Sequence, residues 1–299
     1  MKRQMTGAQL LATVGVLLGF VVSAAAQGGG GGFGAPPPAD PNAPTPRLAN
    51  GKPDLTGSWG GAVNLTGAGA PGVTVGDMFR RCTPFQSKNC MEWTNQSEDW
   101  PFMSGMRLDM RQPMYKPEFW DKIIELDQWT NREDPVMTCL PLGVPRQGPP
   151  ARIFATDTDI TFIYRAGVDG AGGYAEFRMI PVDGKPHDPR RANNYTYFGY
   201  TVGRWEGDSL ILDSIGFSDE TWLGRGGFFH TDKMRTIEKF TRTGNQMVYD
   251  VTIEDPDVLL QPWVMPSRTL RLSPTNAIVA ERGSCTETEH NEVSTQYRH

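Results

Sequence analysis

From residue 152 onward, apolar and polar positions alternate with a period of two, the pattern of strands with one face buried and the other wet. Ile160, Phe162 and Tyr164 alternate with Thr161, Ile163 and Arg165, and Tyr174 to Pro181 reads as a further strand ending at an Asp183-Gly184 turn. Phe198 to Trp205 and Ser209 to Ile215 flank Glu206-Gly207-Asp208 and so form a hairpin. Met234 to Thr241 and Gln246 to Glu254 flank Gly244-Asn245, with Met247, Tyr249, Val251 and Ile253 on the core face. Arg268 to Leu272 and Ile278 to Arg282 complete the series, and an earlier short strand begins at Gly57-Ser58-Trp59 and runs to Leu65. One segment has helical spacing, Pro117 to Trp129, where Pro117 suits a first turn and Phe119, Trp120, Ile123 and Ile124 share a face expected to lie across a sheet. The prolines from Pro135 to Pro150 then forbid regular structure. Strands at this spacing without intervening helices predict a mainly β fold, an antiparallel β-barrel or a sandwich with one or two short helices. The barrel is preferred because closure removes exposed edges. It occupies a single β-rich domain at 50–299, with the helix and Pro-rich loop at about 113–150.

The first 26 residues depart from this pattern. Lys2 and Arg3 precede an apolar run from Leu10 to Val22 that ends at Ala24-Ala25-Ala26, the layout of a cleavable signal peptide, and the run is short for a membrane span. The expectation is export to the periplasm or outside the cell, with no membrane span after cleavage. Residues 27–49, a Gly run and then a Pro/Ala/Asp stretch, read as a disordered tether. Export makes an even set of cysteines, Cys82, Cys90, Cys139 and Cys285, a disulfide framework. Four cysteines allow three pairings, of which Cys82 with Cys90 and Cys139 with Cys285 is favoured. A zinc site is disfavoured, since no CxxC pair exists and no His sits at ligand spacing from a Cys. Losing Lys2 and Arg3 takes the formal charge from −5 to −7. With no basic stripe, nucleic acid is excluded as the expected partner.

Four stretches carry a family resemblance: Gly51-Lys52-Pro53-Asp54-Leu55-Thr56-Gly57-Ser58-Trp59; Cys139-Leu140-Pro141-Leu142-Gly143-Val144-Pro145-Arg146; Val202-Gly203-Arg204-Trp205-Glu206-Gly207-Asp208; and Thr252-Ile253-Glu254-Asp255-Pro256 with Pro262-Trp263. In combination they resemble a large group of secreted bacterial proteins of unknown function, abundant in acidobacteria and proteobacteria, over nearly the whole mature chain. The C-terminal Cys285-Thr286-Glu287 with Asn291 loosely resembles the tail of that group, which supports the Cys139–Cys285 pairing. The group brings no activity with it. Gly57-Ser58-Trp59 also resembles the first strand of lipocalins, a likeness that implies a barrel with a cavity for an apolar or aromatic small molecule.

The chain has no Gly-x-Ser-x-Gly elbow, Walker loop, His-Glu-x-x-His or dinucleotide fingerprint. What remains for catalysis is a His with carboxylates. His230, between Phe228-Phe229 and Asp232, is the leading candidate, with Asp232 or Glu238 as acid–base partner and Arg204 or Tyr195 to steady negative charge. An exposed loop histidine is the plain alternative. An inward Arg204 would require a carboxylate such as Glu238 or Asp213. Trp205, Trp222, Trp263 and Tyr200 are candidate ligand-binding aromatics, although most aromatics in a β domain are core. Three functions follow: a barrel binding a small apolar or aromatic molecule; a cofactor-independent lyase, hydratase or isomerase on the same barrel; or an envelope protein-interaction module. No cofactor or metal is expected.

Overall fold

The computed structural model describes residues 40, 42–60, 113–164, 176–224, 227–265 and 267–274. The expected signal peptide, the first part of the tether, Cys82, Cys90, Cys285, the continuation of the first strand to Leu65 and the strand at Ile278 to Arg282 lie outside them. Cys139 is disulfide-bonded to a residue outside the described set.

The fold is mainly antiparallel β. Among the described residues twelve strands form: β1 (Gly57–Gly60), β2 (Arg152–Ala155), β3 (Asp159–Ile163), β4 (Phe177–Pro181), β5 (Tyr200–Glu206), β6 (Ser209–Ile215), β7 (Trp222–Gly224), β8 (Phe228–Phe229), β9 (Arg235–Thr243), β10 (Gln246–Glu254), β11 (Trp263–Val264) and β12 (Arg268–Leu272). Nine of them make one sheet in the order β4-β3-β2-β1-β12-β10-β9-β6-β5, with β11 added beside β10. The hairpins expected at Glu206-Gly207-Asp208 and Gly244-Asn245 are present, the second pairing Gln246 with Thr243 through to Glu254 with Arg235. Gly207 and Gly244 take φ of +58°, which the tight turns require.

The sheet curls until its edges, β4 and β5, nearly meet. Every pairing along the path is antiparallel. With nine described strands alternating in direction, the first and the ninth run the same way, so β4 and β5 cannot join each other by an antiparallel ladder. Closure is left to a few local contacts. Just beyond β4, the Gly184 N–H donates to the Gly203 carbonyl at 3.1 Å. Gly203 is where the strands come closest: a Cβ there would lie 2.8 Å from Val182 Cγ1 and 2.9 Å from the Pro181 carbonyl oxygen.

The interior is packed rather than hollow. Phe162, Phe240, Leu210, Leu212, Met247, Leu270 and Trp59 are buried along the inward faces, and Phe240 lies against Phe162 (5.1 Å between centroids) and Tyr249 (4.7 Å). At one end Trp59 donates from Nε1 to the Leu55 carbonyl at 2.8 Å. Arg242 lies 5.1 Å over the Trp59 ring and donates to the carbonyls of Gly244 (2.8 Å) and Asp54. The Gly-x-Trp of β1 is thus one half of a stacked clamp, with Gly57 packed against the Leu272 side chain at a φ of +145° that strains any other residue.

Several stretches of the resemblance meet as joints. Arg47 and Lys52 reach the β5–β6 turn, where Arg47 pairs bidentately with Asp208 at 2.9 and 2.7 Å and Lys52 Nζ donates to the Gly207 carbonyl at 3.4 Å. Residues 42–49, assigned to the tether from composition, are therefore held against the barrel, aided by the Gly244 N–H donating to Thr45 Oγ1 at 2.8 Å. The Pro-rich loop is pinned by the buried Arg146–Asp134 pair at 2.7 and 2.8 Å. The helix begins as a 3₁₀ turn (Pro117–Phe119) and continues as α1 (Trp120–Gln128), followed by the short α2 (Thr130–Glu133). Instead of crossing the main sheet, the segment packs on the separate β7–β8 hairpin: Phe119 meets Phe229 edge-on at 5.7 Å, and Gly227 sits tight against the Ile123 carbonyl.

Gly203→Val should force the sheet edges apart and lower stability by about 1–3 kcal/mol, the usual range for overpacking. Urea unfolding checks this, and an unchanged midpoint would show that β4 and β5 do not meet at Gly203.

Candidate functional site

Three inward faces each carry a charge among apolar neighbours two residues away: Arg178 on β4 beside Ile180, Glu238 on β9 beside Phe240, and Arg268 on β12 beside Leu270. Period-two geometry sends all three into the barrel. Arg178 reaches across to Glu238 in a bidentate pair, Nη1 to Oε2 at 2.7 Å and Nη2 to Oε1 at 3.0 Å. Its Nε and Nη2 also donate to the Tyr164 hydroxyl, the Nε bond at 2.8 Å. Tyr249 donates its hydroxyl proton to Glu238 Oε1 at 2.8 Å. Burial works against the Arg178 charge, yet the Glu238 carboxylate outweighs it and holds the pKa above its ordinary value. Burial, helped by the Glu238 charge, pushes the Tyr249 hydroxyl well up, keeping it a neutral donor.

Arg268 behaves differently. It lies 5.6 Å over the Tyr249 ring and is 2% exposed, yet neither Nη1 nor Nη2 has a hydrogen-bond partner among the described residues. Burial lowers its pKa to about 10, against the opposing pull of Tyr249 and Glu238. A second polar row crosses the neighbouring strands, where Thr201 Oγ1 and Ser214 Oγ lie 2.8 Å apart and Thr236, opposite Ser214, has a buried hydroxyl without a partner among the described residues.

This polar interior borders a cavity of about 350 Å³ at the seam between the sheet edges. β4 supplies Phe177, Arg178 and Ile180, and the approach to β5 supplies Tyr197, Phe198, Tyr200 and Thr201. Arg178 and Thr201 thus belong both to the cavity wall and to the interior network. Phe198 stacks at a tilt on Tyr164 (5.5 Å), and Arg191 lies 4.3 Å over Tyr200, whose hydroxyl accepts from the Asp188 N–H at 3.3 Å. Glu176, also in the wall, has its pKa raised by burial. Phe177 and Met179, on the outer face of β4, remain 66% and 69% exposed.

The five acid–base candidates do not form one cluster. His230 is buried rather than on an exposed loop: its Nδ1 donates to the Thr231 carbonyl at 3.0 Å, so the neutral ring accepts at Nε2 from Thr221 Oγ1 at 2.8 Å. The adjoining turn is anchored by Asp255, which accepts from the Thr231 N–H at 2.7 Å. Asp232 and Tyr195 are at the surface, hydrogen-bonded to each other at 3.0 Å, with Lys233 also on Asp232. Arg204 points outward and pairs with Glu206 at 2.9 Å, while the two carboxylates considered for it are taken by Arg178 (Glu238) and Arg235 (Asp213). Of the aromatic candidates, Tyr200 lines the cavity; Trp205 is half-buried against the core, and Trp222 and Trp263 are buried in β7 and β11. Sequence reasoning missed Arg178, Arg268, Tyr164 and Phe198. The available signal was a charge in phase with an apolar face, as in Arg178-x-Ile180-x-Val182 and Arg268-x-Leu270-x-Leu272. Among the described residues no cluster of His, Cys, Asp or Glu could hold a metal ion, and no helix is long and apolar enough to cross a membrane.

Comparison of the chain with family models, with characterised proteins and with solved structures finds no match.

Glu238→Ala leaves Arg178 buried without its counter-charge and should destabilise the fold by about 3–5 kcal/mol. The paired change Arg178→Met with Glu238→Leu should recover most of that loss in urea unfolding, and failure to recover it would deny that the two charges act as a pair. His230 has its pKa lowered by burial, so the unfolded chain binds the proton more readily and stability is lost as pH falls below the ordinary value of 6.5. His230→Gln should flatten that part of the stability profile, and identical profiles would show that His230 does not titrate with folding.

Proposed function

We propose that this is an exported barrel protein that binds a small apolar or aromatic molecule at the seam between β4 and β5. The observation that carries the reading is the cavity itself. At about 350 Å³ it lies at the lower end of the range for small-molecule sites, with room for about two fused rings. Its aromatic lining of Phe177, Tyr197, Phe198 and Tyr200 beside Arg178 and Thr201 matches the usual make-up of such sites, an apolar wall with a few polar groups that fix orientation. The packed interior moves the site from the barrel axis, where the lipocalin likeness would put it, to the side. Export rests on the leader and on the resemblance to the secreted bacterial group, and membership of that group is part of this proposal. Binding is preferred to acid–base catalysis because both His230 nitrogens are engaged within the fold and the other candidates are dispersed.

N-phenyl-1-naphthylamine, an uncharged aromatic dye that brightens out of water, should bind the purified protein. Tyr200→Ala should weaken it about tenfold, the loss of one aromatic contact worth about 1–1.5 kcal/mol. Leu260→Ser, at an exposed position that does not line the cavity, should leave it unchanged. Absence of dye binding, or equal effects of the two substitutions, would remove the seam as the site.

A further inference from the structure

Among the described residues, the wall of the seam cavity carries three charged side chains, Glu176, Arg178 and Arg191, and their situations differ. Arg178 is buried and gives both Nη groups to the Glu238 carboxylate, so it stands in the wall as half of a neutral pair. Glu176, two residues earlier, shares the inward side with Arg178 by the period of the strand. It is half-buried, and its carboxylate has no hydrogen bond or ion pair among the described residues. Burial raises its pKa, and no cation pulls it back down. That carboxylate has lost part of its hydration without gaining a partner.

Arg191 stands on the other side of the seam. It lies 4.3 Å over the ring of Tyr200, where β5 begins, and its guanidinium likewise has no hydrogen bond or ion pair among the described residues. The neighbouring Asp188 is held by Arg190 through both oxygens, at 3.1 and 2.9 Å, and Arg191 is the least of the influences on it. Glu176 and Arg191 therefore face the cavity from its two sides without pairing with each other. A ligand with one charge would satisfy one of them and be repelled by the other. An uncharged ligand would leave the Glu176 carboxylate dry and unpaired. A molecule with both an ammonium group and a carboxylate answers both, and the guanidinium fork matches the two oxygens of the latter. Between the two charges the wall is aromatic, with Phe198 and Tyr200 to receive a ring.

We infer that the molecule bound at the seam is an aromatic amino acid, its ammonium group on Glu176, its carboxylate on Arg191 and its ring against Phe198 and Tyr200. This rests on the binding function proposed above and names the class of ligand.

The test is calorimetric titration of the purified protein with three probes built on one indole ring: L-tryptophan, indole-3-propionate, which lacks the ammonium group, and tryptamine, which lacks the carboxylate. Tryptophan should bind about tenfold more tightly than either, each missing group removing one charge-assisted contact. Glu176→Gln should erase the preference over indole-3-propionate and keep the preference over tryptamine, and Arg191→Gln should do the reverse. Both variants should melt within a few degrees of the parent, since neither loses a partner within the fold. Equal binding of the three probes, or preferences that survive both substitutions, would overturn the inference, while binding of N-phenyl-1-naphthylamine sensitive to Tyr200→Ala would leave the seam site standing. A variant that melts far lower would also overturn it, by showing that the charge serves the fold. Failure of the dye and of all three probes to bind would remove the seam site and the inference together.

Discussion

The buried ion pair between Arg178 and Glu238 ties the edge of the sheet to its far side. β4 has only one ladder neighbour, β3, yet through Arg178 it is fastened across the interior to β9, two strands from the opposite edge. That side-chain bridge stands where an antiparallel ladder cannot form, because the nine described strands bring their edges together in parallel. Its worth to stability is conditional. An apolar pair of the same volume could serve as well or better, whereas half a pair is strongly unfavourable. What the ions add is direction, since a bidentate contact fixes where β4 lies.

From this constraint the rest of the site follows. Because the edges meet at Gly203 and Gly184 without a continuous ladder, the seam opens toward the start of both strands, and the cavity forms there. Because the bridge is ionic, the interior around it is a polar layer in which Tyr164 accepts from Arg178, Tyr249 donates to Glu238, and Thr201 pairs with Ser214. The apolar remainder, from Phe162 and Phe240 down to the Trp59–Arg242 clamp, fills the other end. One barrel therefore has a solid end that holds it together and a polar end that borders an opening.

Much of this was legible where one face of a strand is plainly apolar. Ser209 to Ile215, Gln246 to Glu254 and Arg268 to Leu272 have the expected bounds, and the inward face of the second is the expected one. Alternation is silent where both faces of a strand are apolar enough. In β4, Phe177 and Met179 are outside while Arg178 and Ile180 are within, and Arg178 is held there by its pair with Glu238. Short strands without alternation, β7, β8 and β11, gave no signal. Strand order was also out of reach, since the pairings of β1 with β12 and β2 join segments about 100 to 200 residues apart. The candidate site was half visible: Glu238 and Tyr200 belong to it, while Asp232 and Tyr195, which folding brings together, and Arg204 are surface groups outside it.

The central claim is that the gap between the two parallel-running edges is a binding site. Backbone amide NMR of the isotope-labelled protein, titrated with N-phenyl-1-naphthylamine, tests it most directly. The account predicts shifts concentrated at Phe177 to Ile180 and Tyr197 to Thr201, fading away from the seam. Shifts centred instead on exposed apolar positions such as Leu260 and Val264, with the seam unmoved, would contradict it.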